Sequence, residues 1–217
     1  MQENESPSLR ERRRTRTWEA IHAAAAEQAR AKGLKGTTAE SIAEQAGVST
    51  RTFFNYFPSK EDAVLGLREP QMSEQLLRTV PHPAKSALPA YAAQIFLRVL
   101  RGSMSPEAAA ASREVIRELP ELRQRMKIHM LRCEQALQQF LLGMDWAAYA
   151  ERRELVPRTE PDAEPDPEQV RRVRALVLLS AAILRHIDFG AGREIDEADA
   201  QIARSAALFS QILQEER

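Results

Sequence analysis

Apolar residues recur at three- and four-residue spacings along most of this chain, and no segment alternates like a half-buried strand. That pattern predicts an all-α fold. Trp18, Ile21, Ala24, Ala25 and Ala29 form one stripe, which predicts a first helix over residues 10–32 ended by Lys32-Gly33. Trp18 reads as its core anchor. Thr37 with Glu40 three residues on has capping-box spacing, so a second helix is expected there, with Ile42, Ala43 and Ala46 as its small apolar face. Gly47 suits a tight turn, and Ser49 suits the N-cap of a third helix on which Phe53 and Phe57 point inward. Pro58 closes that helix. Ser59 with Asp62 caps a fourth, which runs through Ala63, Val64 and Leu67 until Pro70 interrupts it; the pattern resumes through Met72, Leu76 and Leu77.

After a break at Pro81 and Pro83, a helix is expected from Ala87 to Arg101, another from Ser105 to Leu119, and a long one from Pro120 through Met144. Val156 to Glu168 is rich in Pro and acidic residues and reads as a mobile loop. Two final helices follow, Gln169 to Phe189 and Asp196 to Gln214. The first is strongly apolar from Leu176 to Leu184; the second carries Ile202, Ala206, Phe209 and Leu213 on one stripe.

The third predicted helix changes the picture from fold to function. With Phe53 and Phe57 inward, Thr50, Arg51, Phe54 and Asn55 fall on its outward face. A short outward helix carrying Arg, Asn, Thr and an aromatic fits a DNA major groove. The run VSTRTFFNYFPSKEDAV, Val48 to Val64, resembles the signature of TetR-type transcriptional regulators, with Ser49, Thr52, Phe53, Phe54, Tyr56, Phe57, Lys60 and Glu61 at its places. The upstream T-T-x-x-x-I-A-x-x-A-G pattern, Thr37 to Gly47, belongs to the same resemblance, which covers roughly the first third of the chain. Phe54 stands where many relatives carry a Tyr whose hydroxyl meets a phosphate; Phe54 is left with a thymine methyl as partner. Tyr56 stands where many relatives have His. Its hydroxyl suits a phosphate, and packing beside Phe53 is the equal alternative.

The resemblance implies a helix-turn-helix domain over residues 10–58 after a disordered tail at 1–9, and a helical effector-binding and dimerisation domain over 59–217. It implies a ligand-responsive repressor that binds a pseudo-palindromic DNA operator as a homodimer, without catalysis or cofactor. A ligand-independent activator or architectural DNA binder is the alternative. An all-α enzyme with an accessory DNA motif is a rival from another class, and it would need converging titratable groups. Candidate DNA contacts are Arg12, Arg13, Arg14, Arg16, Thr38, Ser49, Thr50, Arg51, Thr52, Phe54, Asn55, Tyr56 and Lys60.

Charge supports this reading only locally. The 217 residues carry 31 basic and 31 acidic side chains, so no global field draws the chain to nucleic acid. Arg10, Arg12, Arg13, Arg14 and Arg16 crowd the N-terminus against Glu11 alone, an arm suited to phosphates or a minor groove. Lys60, in the first turn of a helix, opposes the helix dipole, which makes sense if a phosphate docks there. The single cysteine, Cys133, permits no internal disulfide, which fits a reducing cytoplasm, and neither a signal peptide nor a membrane-length apolar run is present.

Beyond the DNA motif, no glycine-rich phosphate loop, zinc pattern or nucleophile elbow occurs. His129 and Cys133 share a helix face, but two ligands do not close a metal site. The soft face Met126, His129, Met130, Cys133, Leu137 and Phe140, with Phe96, Leu100 and Ile183, reads either as core or as an apolar effector pocket. Trp146 and His186 are further candidates for that lining. The resemblance assigns the last two helices to the dimer interface, with Leu179, Ala182, Ala203, Ala206, Phe209 and Leu213 as candidates; a central core helix is the other reading.

Overall fold

The computed structural model describes residues 8–80, 87–105, 119–152, 155–160, 164–187 and 194–215. The helix expected from Ser105 to Leu119 lies almost wholly outside these, as do most of the N-terminal tail and part of the acidic loop. Every described element is helical: α1 Leu9–Lys32, α2 Ala39–Gln45, α3 Thr50–Tyr56, α4 Lys60–Leu65, α5 Glu74–Arg78, α6 Leu88–Gly102, α7 Pro120–Leu142, α8 Trp146–Arg152, α9 Pro167–His186 and α10 Ile195–Glu215. Met144 and Pro157 add an isolated antiparallel bridge. None of the described helices is long and apolar enough to cross a membrane.

The chain divides into two compact units. The first takes residues up to Arg68 together with the segment ending at Met126; the second takes the rest. The first unit therefore includes α4 and reaches past Pro58.

In the first unit, α1 buries the expected stripe, with Ile21 and Ala25 fully enclosed. Trp18 is a core residue: its ring packs 5.4 Å from Phe57, and the Arg68 guanidinium lies 3.9 Å over its face. Two boundaries differ from those expected. The N-cap of α2 is Thr38, in a reciprocal capping box with Ser41, and Glu40 is not part of it. Thr37 is fully buried and donates its hydroxyl to Gly33 O at 2.9 Å, so it tethers the end of α1 instead of capping α2. The fourth helix stops at Gly66, whose φ of 56° puts it in the left-handed region that glycine enters without strain. Pro70 thus follows a helix already ended, and α5 is a separate element capped by Ser73.

Asp62 joins distant segments of this unit. It is 2% exposed, accepts Arg125 Nε at 2.5 Å and Nη2 at 2.7 Å, and takes the Ser59 hydroxyl at 2.8 Å. The paired guanidinium compensates a carboxylate removed from water.

The second unit is built around α6, which packs mainly against α9 and α10 and buries Ile95, Phe96, Leu97, Val99 and Leu100. Arg98 on α6 forms a buried fork to Asp199 on α10 at 2.9 and 2.7 Å, and also donates to Thr79. One turn earlier, Gln94 is buried, and its amide oxygen meets no donor among the described residues.

Candidate nucleic-acid interface

The site is a helix, a turn and a second helix, each positioned by short-range chemistry. The turn folds back through Gly47 N to Glu44 O at 3.1 Å and Val48 N to Ala43 O at 2.9 Å, with Gly47 at φ 69°. A residue with a Cβ is strained at that angle, so the turn requires glycine. Ser49 then caps α3 by accepting Thr52 N at 3.0 Å, and the two hydroxyls bond each other at 2.8 Å.

Behind the turn, Gln28 on α1 anchors α2. Its amide nitrogen donates to Ser41 O at 2.9 Å and to Gln45 Oε1 at 2.7 Å, while its oxygen accepts the Ser41 hydroxyl at 2.7 Å. This positioning residue was not singled out from sequence. The available signal was a polar amide between Ala25 and Ala29 on an otherwise apolar stripe. His22, buried beside Trp18, holds α4 from the same side through Nδ1–H to Ala63 O at 2.7 Å.

The two faces of α3 are cleanly divided. Phe53 and Phe57 are fully buried, whereas Arg51, Phe54 and Asn55 are exposed and Thr50, Thr52 and Tyr56 are half-buried. Phe54 is 53% exposed, and its ring meets Phe53 edge-on at 5.2 Å. That contact holds an aromatic surface outward, of the kind that suits a thymine methyl. Thr38 is exposed at the start of α2. Arg12, Arg13, Arg14 and Arg16 are exposed on the first turns of α1, which Ser8 and Glu11 cap reciprocally. The two Ser8 bonds draw the Glu11 carboxyl below its usual range.

Lys60 does something other than expected. Its ammonium turns inward and donates to Leu34 O at 2.8 Å and Thr37 O at 2.9 Å. It therefore clamps the α1–α2 connection, and a cation at the start of α4 is explained by carbonyls without a phosphate. Ser49 and Thr52 likewise have hydroxyls engaged in the cap.

In the second unit, the candidate effector residues Phe96, Leu100, Cys133, Leu137 and Ile183 are packed into one core cluster, with Met130 and Phe140 partly buried against it. Met126 falls in the first unit. His129 is buried and bonded through Nε2 to Ser103 Oγ at 2.8 Å, with Cys133 Sγ 3.7 Å away. Burial pushes the Cys133 thiol up to about 11, which keeps it protonated and unreactive near neutrality. Among the described residues no group of three or more His, Cys, Asp or Glu side chains is arranged to hold a metal. Trp146 and His186, the two further lining candidates, each border a cavity in this unit. Of the candidate interface residues, Ala206 is buried in the chain's own core, Leu179, Ala182 and Phe209 are half-buried, and Ala203 and Leu213 are exposed.

A helix-turn-helix whose second helix presents Arg51, Phe54 and Asn55 to solvent belongs to the class of DNA-binding domains. Residues 21–65 match the family described as bacterial regulatory proteins, tetR family. Over 59 residues the chain is 44% identical to the HTH-type transcriptional regulator TcmR of Streptomyces glaucescens, a match spanning 27% of this chain and 26% of that protein. Residues 21–65 therefore form a DNA-binding domain of the TetR type, and the match to TcmR spans about a quarter of that protein's length. Among solved structures, a TetR transcriptional regulator from Rhodococcus sp. RHA1 is 21% identical, with 93% of this chain and 97% of that chain covered and a TM-score of 0.38. Thermus thermophilus FadR, a TetR family repressor solved with lauroyl-CoA, is 27% identical, with coverage of 88% and 77% and a TM-score of 0.23. Both scores are too low to establish a shared overall fold.

Proposed function

We propose that this chain is a ligand-responsive repressor that binds a pseudo-palindromic operator as a homodimer in the bacterial cytoplasm. The observation that carries the DNA reading is the outward face of α3, where Arg51, Phe54 and Asn55 are exposed above a core that fixes the helix through Phe53 and Phe57. Arg51 suits guanine O6 and N7, Asn55 suits adenine, and Phe54 suits a thymine methyl. The exposed arginines of α1 supply the sequence-independent phosphate term.

The dimer reading is supported by apolar side chains that the single chain leaves in water. Leu178 on α9 and Leu208, Ile212 and Leu213 on α10 are large and exposed, with Leu213 at 68%. A second copy covers such a stripe by presenting the same one, and a two-fold protein matches a two-fold operator. An effector in the second unit would shift the population toward a spacing of recognition helices that no longer fits both half-sites.

Selection from random duplexes with the full chain, paired with sedimentation, tests the reading. The expected result is an inverted repeat bound by two chains, and Leu208→Arg with Leu213→Arg should yield monomers that hold DNA far more weakly. Enrichment without sequence preference, or a double variant that remains dimeric, contradicts it.

A further inference from the structure

The C-terminal end of α7 is closed from three directions. Leu141 O accepts Trp146 Nε1–H at 2.9 Å, Leu142 O accepts Gln169 Nε2 at 3.2 Å, and Gly143 O accepts Arg158 N at 2.9 Å. These bonds satisfy carbonyls that a helix end leaves orphaned, and they hold α8, the 155–160 segment and α9 around one corner. A cavity of about 490 Å³ opens there, in the size range of small-molecule sites.

Trp146 forms a fixed wall of this cavity. Its ring is held by the indole N–H bond and by an edge contact with Tyr149 at 5.8 Å. The guanidinium of Arg172, an exposed residue, stands 5.1 Å over the ring, so this face already accepts a planar cation. An exposed stack of that kind is weak and is readily exchanged. The lining also sets four carboxylates, Asp145, Glu160, Asp166 and Glu168, against Arg158 and Arg172. Asp145 is engaged with Ala148 N and Glu168 with Arg171. Asp166 stands at the N-cap of α9 but makes no side-chain cap bond, so its carboxylate is not committed to the helix.

We propose that this cavity binds a planar organic cation, an amidinium, guanidinium or protonated aromatic amine on an apolar body, stacked on Trp146 in place of Arg172 and neutralised by Asp166 and Glu160. Binding follows from the cavity alone. That it serves as the effector site rests on the ligand-responsive reading.

Trp18 and Trp146 are the two tryptophans of the chain, so full-length Trp18→Phe reports on the cavity alone. Titration of that variant, and of the wild type, with benzamidine should give saturable quenching, while benzoate, of the same shape and opposite charge, should give none. Glu160→Gln with Asp166→Asn, both at exposed positions, should weaken benzamidine roughly tenfold. Arg172→Ala, by clearing the ring, should tighten it about threefold. Absence of a saturable change at Trp146, equal quenching by benzoate, or an unchanged affinity in the carboxylate variant overturns the proposal. Operator release is measured separately. Benzamidine that binds without releasing DNA leaves the site standing and removes its effector role.

Discussion

The two units differ in how their helices begin, although each is also tied by long-range polar contacts, in the first by Asp62 with Arg125 across 63 residues and His22 with Ala63 across 41. In the first, helices begin with side chains that bond three residues on: Ser8 with Glu11, Thr38 with Ser41, Ser49 with Thr52, Ser59 with Asp62. In the second, the defining contacts join distant segments: Arg98 with Asp199 across 101 residues, Ser103 with His129 across 26, Gln169 with Leu142 across 27. A short-range cap orients a helix before any tertiary structure exists. A long-range fork can act only once the chain has folded. The first architecture suits a reading head whose geometry must be constant.

Breaking the long-range fork should have the largest effect. Asp199→Ala leaves the Arg98 guanidinium buried without its carboxylate and should cost about 4 kcal/mol, seen as faster hydrogen exchange in α6 and α10 with α1–α4 little changed. Asp62→Ala is the counterpart in the first unit. Arg125 is less enclosed, so the cost should be about 3 kcal/mol, confined in the same measurement to α1–α4 and the start of α7. If either change spreads evenly over both units, the units are not separately stabilised.

Lys60→Met should cost about 2 kcal/mol through two lost carbonyl bonds, read by urea denaturation. The slope of operator affinity against salt should stay as it was, because the ammonium is turned inward. A slope lower by about one unit would restore a phosphate contact to Lys60. Gln94→Met should be the one stabilising change, raising stability by about 1 kcal/mol, because an apolar chain of similar volume replaces an oxygen that meets no donor among the described residues. A loss of stability would mean that the amide oxygen has a partner beyond the described residues.

The same difference in range decides how much was legible in the sequence. The helix-turn-helix was legible because turn glycine, cap serine and the Phe53–Phe57 pair all lie within a few residues of one another. Even there the cap lies one residue further on, since Thr37 and Thr38 look alike in sequence and the Thr37 hydroxyl turns back to Gly33 O, four residues earlier. The inward bonds of Lys60 were not legible because its partners, the carbonyls of Leu34 and Thr37, carry no side-chain signature. In the second unit the helices were visible from their apolar periods, but the soft residues chosen for a pocket lie in the packed core. The cavity beside Trp146 is assembled from the end of one helix, the start of another and the segment between, which no periodicity marks.

The central claim is that the exposed face of α3 reads bases while its buried face and its caps only hold it in place. The direct measurement is operator selection from random DNA with wild type and Arg51→Ala side by side. The account predicts that one base pair in each half-site loses its preference, at a cost of about 1–3 kcal/mol, while the remaining positions keep theirs. A uniform loss of affinity with the preference unchanged at every position would contradict it.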